Sequence, residues 1–439
     1  MSKHIRWLHV ETERWTAEDL ITAEQAARLR ALYPAPTPAL PWALIVFSCA
    51  GAVVVGLGVI LLIAYNWEDI PKFGKLALIF AALIGSHAAG LRLVRREGWQ
   101  QPLGEALCLL GSMFFGAGIW LVAQIYNINE HFPNGFLLWA LGSLVMAWAL
   151  ESIPQAMLAT VAFAFWGHYE TWDFNRPTLW AIIAVLLGVG PLAWHKRSAL
   201  LTGVVLAAVY FLSIITLFRW GGGAHALTAT LALSALLIVA EKLVRAPAGG
   251  PVAGTAIWRF FGLGGFLVCV FLLGFHDAAR HLLDWSRPAG RDLLLAATYG
   301  WSVFALAAAG WGLVTWRALG QKRLTVPLEE WLCPIALIYA YLLAALGQID
   351  ELLIAITFNL VFLGVAVMWM LRGCREARLR STVLGSLMFG ALVLARYFDL
   401  FESLAARVLT FIVLGGILIA EAMYYRKMRR EGTAEGDRP

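Results

Sequence analysis

Long apolar stretches separated by short polar segments make up the chain from residue 43 onward. Most stretches approach the ~20 residues that an α-helix needs to cross a hydrocarbon core. Because the backbone must satisfy its own hydrogen bonds there, each stretch is predicted to be a helix. The fold class is therefore an all-α, polytopic integral membrane protein with about 14 transmembrane helices. The predicted spans are residues 43–65, 75–94, 103–125, 135–151, 153–168, 178–195, 198–218, 223–244, 256–276, 292–316, 330–347, 351–371, 379–397 and 406–425.

The polar N-terminal segment, residues 1–40, carries two signatures of a helix start. Thr16 is followed by Asp19, and Thr22 by Gln25, so that each capping residue precedes a side chain that can reach back to it. The second signature opens the amphipathic stretch TAEQAARLRALY, which ends at a proline-rich linker that cannot continue a helix. One face of this stretch carries Ala26, Leu29 and Tyr33. The pattern predicts a small soluble helical hairpin ahead of the membrane domain.

The distribution of Lys and Arg predicts the orientation. With the N-terminus in the cytoplasm, 25 of the 34 Lys and Arg residues fall on the inner side, as the positive-inside rule requires. We therefore expect a multi-pass membrane protein with both termini in the cytoplasm. The predicted domains are a cytoplasmic helical segment with its linker (1–40), a transmembrane helical domain (43–425) and a charged cytoplasmic tail (426–439).

Composition changes this picture little. The chain is 60% hydrophobic and 14% charged, whereas a soluble domain carries about 25% charged residues. The net charge of +6 comes from short clusters between apolar runs, which indicates topology and excludes nucleic acid as a partner. The five cysteines lie singly, so neither a disulfide framework nor a metal site is expected. No cofactor is implied, and the lipid bilayer is the expected partner.

Two segments near opposite ends of the chain resemble each other. LGSMFFGA (110–117) aligns with LGSLMFGA (384–391), and both lie in spans that run outward after a basic inner loop. The echo suggests a four-helix unit used at each end, a parallel repeat of the kind that some transporters have. The alternative is compositional, because apolar spans draw on few residue types.

Several motifs resemble a bacterial family of predicted membrane proteins, domain-of-unknown-function family 2157. They are WTAEDLITAEQAARL, GLGVILLIAYNWEDIP (56–71) and LVAQIYNI (121–128) in the first third, with ARYFDLFESLAARVLTFIVLGG near the C-terminus. The resemblance implies a many-span inner-membrane protein. It implies no activity, catalytic residue or cofactor.

Two polar residues are predicted to lie near the bilayer centre, where such groups are costly and often functional. They are His87 in the second span and Asn359 in the twelfth, and aligning the two echo segments places them at nearly equivalent positions. A functional interpretation is a proton-accepting or solute-coordinating pair. The alternative is helix packing, because His87 lies in the small-residue patch GSHAAG and intramembrane Asn residues often bond neighbouring helices.

Three further candidates for solute binding lie at the ends of the third span. Glu105 begins the span on the predicted inner side, where the helix dipole and nearby arginines offer a structural explanation. Gln124 and Asn127 lie at its outer end, close to the polar loop that follows the first span (66–69). Together they could form a polar vestibule, although a solvated loop explains them equally well.

The nearest approach to a metal-binding pattern is His276, Asp277, His281 and Asp284. Arginines between them offer partners for the carboxylates, and the order does not match a metalloprotease motif. An amphipathic segment at the membrane interface is the preferred interpretation.

Three functions fit these observations. The best guess is a transporter or permease for a small or lipid-like solute, favoured by the number of spans and the candidate repeat. A structural or regulatory envelope protein would use residues 1–40 to hold a cytoplasmic protein partner. A membrane-embedded enzyme acting on lipid-linked substrates would need converging acid–base groups, yet no catalytic residue stands out. A homo-oligomer is compatible with each.

Overall fold

The fold is seen in a computed structural model. It describes residues 2–33, 42–65, 71–96, 98, 100–128, 131–176, 179–244, 255–283, 290–320, 328–346, 350–376 and 378–400, with isolated positions between 412 and 423. Within these residues every element is helical. The elements are α1 (Ser2–Ala17), α2 (Ala23–Leu32), α3 (Trp42–Tyr65), α4 (Lys72–Val94), α5 (Gln100–Ile125), α6 (Pro133–Ala149), α7 (Ile153–Trp172), α8 (Leu179–Ala184), a π-helical turn (Val185–Val189), α9 (Gly190–His195), α10 (Ala199–Leu243), α11 (Ala256–Leu273), α12 (His276–Leu283), α13 (Gly290–Gly320), α14 (Leu328–Leu346), α15 (Glu351–Arg375) and α16 (Leu379–Leu400).

The chain divides into two compact units, Met1–Gln155 and Ala156–Pro439. In the described part, seven helices are long and apolar enough to cross a membrane. These are Lys72–Val94, Gln100–Ile125, Ala199–Leu243, Ala256–Leu273, Ala297–Leu319, Glu351–Arg375 and Leu379–Arg396. An all-helical membrane protein is thereby confirmed, whereas the count of fourteen crossings stays a prediction.

The described helices coincide closely with the predicted spans. For example, α4 and α5 occupy Lys72–Val94 and Gln100–Ile125, where the hydropathy pattern predicts 75–94 and 103–125. The last predicted span, the charged tail and the proline-rich linker lie outside the described residues, apart from the isolated positions named above.

The predicted span 178–195 is one helical path interrupted by the π-helical turn Val185–Val189. Pro191 follows in the first turn of α9. Proline has no N–H to donate to the preceding turn, so a local widening of the helix accommodates it.

The helix α10 folds back on itself at Gly222, which has φ 76° and ψ −176°. The Tyr210 hydroxyl lies 3.0 Å from the Ser234 hydroxyl, although 24 positions separate them in the sequence. A straight helix would separate them by about 36 Å at 1.5 Å per residue. α10 therefore consists of two antiparallel arms, 199–221 and 223–243, which match two separately predicted spans.

The predicted N-terminal helical hairpin is seen in α1 and α2. Thr22 caps α2, since the Gln25 amide donates to its hydroxyl at 3.2 Å, and its own amide donates to the Gln25 side chain at 2.9 Å. The two helices are joined by contacts of Arg30 with Glu13, at 3.6 Å, and with the buried Thr12. This second start signature is confirmed.

The first start signature is wrong. Thr16 lies in the last turn of α1, where its hydroxyl donates to the Thr12 carbonyl at 2.7 Å. Asp19 lies in the turn after the helix with φ 53°, a left-handed conformation that Asp tolerates better than most residues. The same residue types that cap a helix start also end one, because their short polar side chains compete for backbone groups.

Gly90, the last residue of the patch GSHAAG, lets α4 and α5 approach closely. A Cβ on Gly90 would lie 2.9 Å from the Gly104 carbonyl oxygen, and Gly104 is equally enclosed by Gly90 and Val94. Close contact between backbones gives these helices their packing energy where no hydrophobic driving force acts. At Gly90 the contact agrees with the packing interpretation of this patch.

The α15–α16 pair packs just as closely, but in another register. Gly385 and Gly111 are aligned in the two echo segments. Gly111 faces His87, whereas Gly385 faces Met370. In that alignment His87 corresponds to Val361, so a true repeat would place Gly385 against Val361. Gly385 instead faces Met370, about two and a half helical turns away at 3.6 residues per turn. The helix packing therefore does not reproduce the equivalence of His87 and Asn359, and the duplication stays a prediction.

Candidate functional site

His87 is half-buried on the face of α4 that packs against α5. Its Nδ1 lies 3.0 Å from the Leu83 carbonyl oxygen, which can only accept, so Nδ1 carries the proton. The ring fills the space over Gly111, where a Cβ would clash with it. These contacts give His87 a packing role between α4 and α5.

Asn359 ties two helices of the second unit together. Its side-chain nitrogen donates to the Ala355 carbonyl on its own helix at 2.8 Å and to the Gly274 carbonyl at 2.9 Å. Gly274 follows the last residue of α11, where carbonyl groups lack a partner within the helix. A Cβ at Gly274 would lie 2.7 Å from the Asn359 side-chain oxygen, so the glycine admits this contact.

Replacing Asn359 by Leu is expected to destabilise the protein by about 0.6–2 kcal/mol, because the Gly274 carbonyl loses its donor. Unfolding by SDS in mixed micelles measures this change. Ser302→Ala is the control, since the exposed Ser302 hydroxyl donates to the Thr298 carbonyl of its own helix at 2.6 Å. If the two variants are equally stable, the Asn359 contact is not an interhelical tie.

A cavity of about 830 Å³ lies between α4, α5 and α6 in the first unit. Its walls are mostly apolar and aromatic, and Trp120 packs edge-on against Phe136 beside it, with ring centroids 5.0 Å apart. The lining includes Phe114 and Gln124, ten positions apart on α5, so the cavity runs about 15 Å along this helix. Its polar lining, Gln124, His131 and Asn134, is gathered around the end of α5 and the start of α6.

The structure brings one of the sequence-predicted candidates into this cavity. Gln124 is exposed and lines it. Asn127 lies just beyond α5 with φ 51°, and its amide and that of Ile128 donate to the Gln124 and Ala123 carbonyls. This is a left-handed helix end, a position where Asn is favoured, and it gives Asn127 a structural role. Glu105 lies half-buried near the other end of α5, away from the cavity.

Four charged residues form a second site that the sequence interpretation missed. Lys242 Nζ lies 2.7 Å from Glu330 Oε2 and 3.2 Å from Glu241 Oε2. The Arg259 guanidinium contacts the other oxygen of Glu330. The side chains of Glu330, Glu241 and Lys242 are 0%, 4% and 5% exposed, and that of Arg259 is 39% exposed. We call these four residues the Glu330 network.

The network joins the second arm of α10, the first turn of α11 and the first turn of α14. In the sequence, Lys242 and Arg259 count only among the 25 inner-side Lys and Arg residues, and no pattern singles out Glu241 or Glu330. The sequence does show that the ends of these three spans carry charges of opposite sign. Nothing in the sequence indicates which ends meet.

The residues of the candidate metal-binding pattern around His276 are not gathered into a metal site among the described residues. His276 Nε2 lies 3.2 Å from Glu351 Oε2 on α15, so its described partner is a carboxylate of another helix. Asp277 is exposed on the short helix α12, and Asp284 lies outside the described residues. In the described part of the chain, no three His, Cys, Asp or Glu side chains are placed to hold a metal ion.

These features define an α-helical membrane protein with an apolar cavity in its N-terminal unit. Residues 13–156 match the model of a family described as Predicted membrane protein (DUF2157). The resemblance inferred from sequence is thereby confirmed over about the first third of the chain, and the match ends where the first compact unit ends. No curated protein and no solved structure matches the chain.

Proposed function

We propose that this protein binds a lipid-like solute in the cavity between α4, α5 and α6 and helps it to cross the membrane. The main support for this proposal is the cavity itself. Its volume of about 830 Å³ lies within the 300–1,000 Å³ typical of small-molecule sites. Its aromatic walls suit an apolar chain, and Gln124, His131 and Asn134 offer donors and acceptors to a polar head.

The length of the cavity supports this solute class. Its ~15 Å extent along α5 corresponds to half of a ~30 Å hydrocarbon core, which is one leaflet. With the proposed orientation, both termini in the cytoplasm of a bacterial inner membrane, the polar end at Gln124 lies near the outer surface. The deep end near Phe114 then lies near the bilayer centre, one turn from His87.

Reconstitution into liposomes tests the proposal. A fluorescently labelled phospholipid is placed in both leaflets, and its accessibility to a membrane-impermeant quencher is followed over time. We expect the protein to speed the exchange between leaflets several-fold. Gly118→Leu should strongly reduce the gain, because Gly118 lines the cavity and a leucine side chain would narrow it.

Gly85→Leu is the matched control, since Gly85 lies on α4 with open space around its Cβ position and does not line the cavity. This variant should keep the activity. Equal exchange rates for the wild type, Gly118→Leu and protein-free liposomes would overturn the proposal.

A second candidate, a regulatory protein that holds a cytoplasmic partner, draws on the N-terminal hairpin. Trp7, Val10, Leu20 and Leu32 are each more than half exposed in α1, α2 and the turn between them. Under this alternative, Trp7→Ser with Val10→Ser would abolish partner capture, and Gly118→Leu would not affect it.

A further inference from the structure

Two side chains near the end of the first arm of α10 have buried polar atoms with no hydrogen-bond partner among the described residues. They are the hydroxyl of Thr216, a residue that is 4% exposed, and the indole nitrogen of the half-buried Trp220. Such groups lose their hydrogen bonds to bulk water on burial, and native structures rarely leave that cost without compensation. Two of them on one arm indicate a bound partner.

Thr216 differs from the other buried hydroxyl residues of α10. Ser213, Thr228, Thr230 and Ser234 each donate to the carbonyl four positions earlier, at 2.6–2.8 Å. This local bond satisfies a buried hydroxyl within its own helix. The Thr216 hydroxyl has no such bond in the structure, so it is available to a partner that lies beside the helix.

The spacing of the two residues suits a single small partner. Thr216 and Trp220 are four positions apart and lie on one face of the arm, where Cβ atoms are about 5–6 Å apart. The indole N–H can only donate, whereas a hydroxyl can donate and accept. A water molecule spans such a distance, because each of its hydrogen bonds is about 2.8–2.9 Å long.

A third polar group lies close to this pair. Tyr299 of α13 packs, like Trp220, against the same small apolar cluster of the two arms. Its hydroxyl lies 2.9 Å from the Oγ atom of Ser213, which is about one turn before Thr216. Because the Ser213 hydroxyl already donates within its own helix, Tyr299 donates to Ser213 and its own oxygen can still accept.

We propose that Thr216 and Trp220 bind one water molecule inside the second unit, near the reversal of α10 at Gly222. The indole N–H donates to the water oxygen, and the water donates one hydrogen to the Thr216 hydroxyl oxygen. Buried waters make about three hydrogen bonds, and the Tyr299 oxygen is the acceptor for the second hydrogen. The water thereby joins the first arm of α10 to α13.

Water-edited solid-state NMR of the full chain in lipid bilayers, with ¹⁵N-labelled indoles, tests the proposal. The signal of Trp220 is identified by its absence in Trp220→Phe. Magnetisation from water should reach Trp220 several-fold faster than Trp139, which is also half-buried but donates to the Ser112 carbonyl at 2.8 Å. Thr216→Val should slow the transfer at Trp220 to the Trp139 rate. Thr216→Ser, which keeps the hydroxyl, should not.

Transfer to Trp220 that is no faster than transfer to Trp139 would overturn the proposal. So would an unchanged rate in Thr216→Val, because the water would then not bridge the two residues. If either variant fails to fold, Trp220→Tyr identifies the same signal and Thr216→Ala removes the same hydroxyl. The measurement uses no solute, so its outcome is independent of the proposed lipid exchange.

Discussion

Replacing Lys242 by Met is expected to lower the free energy of unfolding by about 3–5 kcal/mol, the range for breaking a buried ion pair by removing one partner. Lys242 lies between the carboxylates of Glu241 and Glu330, and all three side chains are almost completely buried. Without the ammonium group, two buried negative charges would be left with Arg259 as the remaining cation of the network. Unfolding by SDS in mixed micelles, followed by circular dichroism, measures the change.

Arg372→Met is the control for this prediction. Arg372 pairs with Glu376 at 2.9 Å, but both side chains are substantially exposed, at 43% and 36%. The hydrogen bond from Arg372 lowers the pKa of the Glu376 carboxyl, yet water screens such a pair and its loss should leave stability nearly unchanged. If Lys242→Met were as stable as Arg372→Met, the Glu330 network could not be a buried ion network.

The charged network shows where sequence interpretation reaches its limit. Hydropathy correctly places Lys242 and Glu330 at the ends of apolar stretches, because burial of a whole span depends on local composition. Whether two such ends meet depends on long-range packing across 88 positions of sequence, which no local pattern contains. The same charges therefore appear as orientation signals in the sequence and as an ion network in the structure.

The glycine pattern of the sequence predicts helix packing better than the polar residues predict the candidate site. The patch GSHAAG predicts close helix packing, and Gly90 and Gly104 are found in such contact. The physical reason is local, since a residue without Cβ is what lets two backbones approach. The cavity could not be predicted in the same way. It depends on how α4, α5 and α6 diverge, and of its polar lining only Gln124 was a candidate from sequence.

Gly222→Ala is expected to cost about 1–3 kcal/mol, the range for a backbone conformation that is nearly restricted to glycine. Hydropathy predicts that one span ends near residue 218 and the next begins near 223. In the structure the chain reverses direction between the two arms of α10 at Gly222, which has φ 76° and ψ −176°. Among the described residues beyond the adjacent backbone, no atom lies within 4 Å of a Cβ placed there, so the cost would come from the backbone conformation and not from a clash.

Gly264→Ala separates this effect from a general intolerance of glycine replacement. Gly264 lies inside the helix α11 and also has open space at its Cβ position, so alanine there should be neutral or slightly stabilising. Stability of both variants is measured in mixed micelles, together with cross-linking of cysteines placed at Tyr210 and Ser234. If Gly222→Ala kept wild-type stability, the reversal could not depend on glycine's conformational freedom. Loss of the cross-link in Gly222→Ala alone would show that the two arms of α10 stay antiparallel because this one residue can adopt a positive φ.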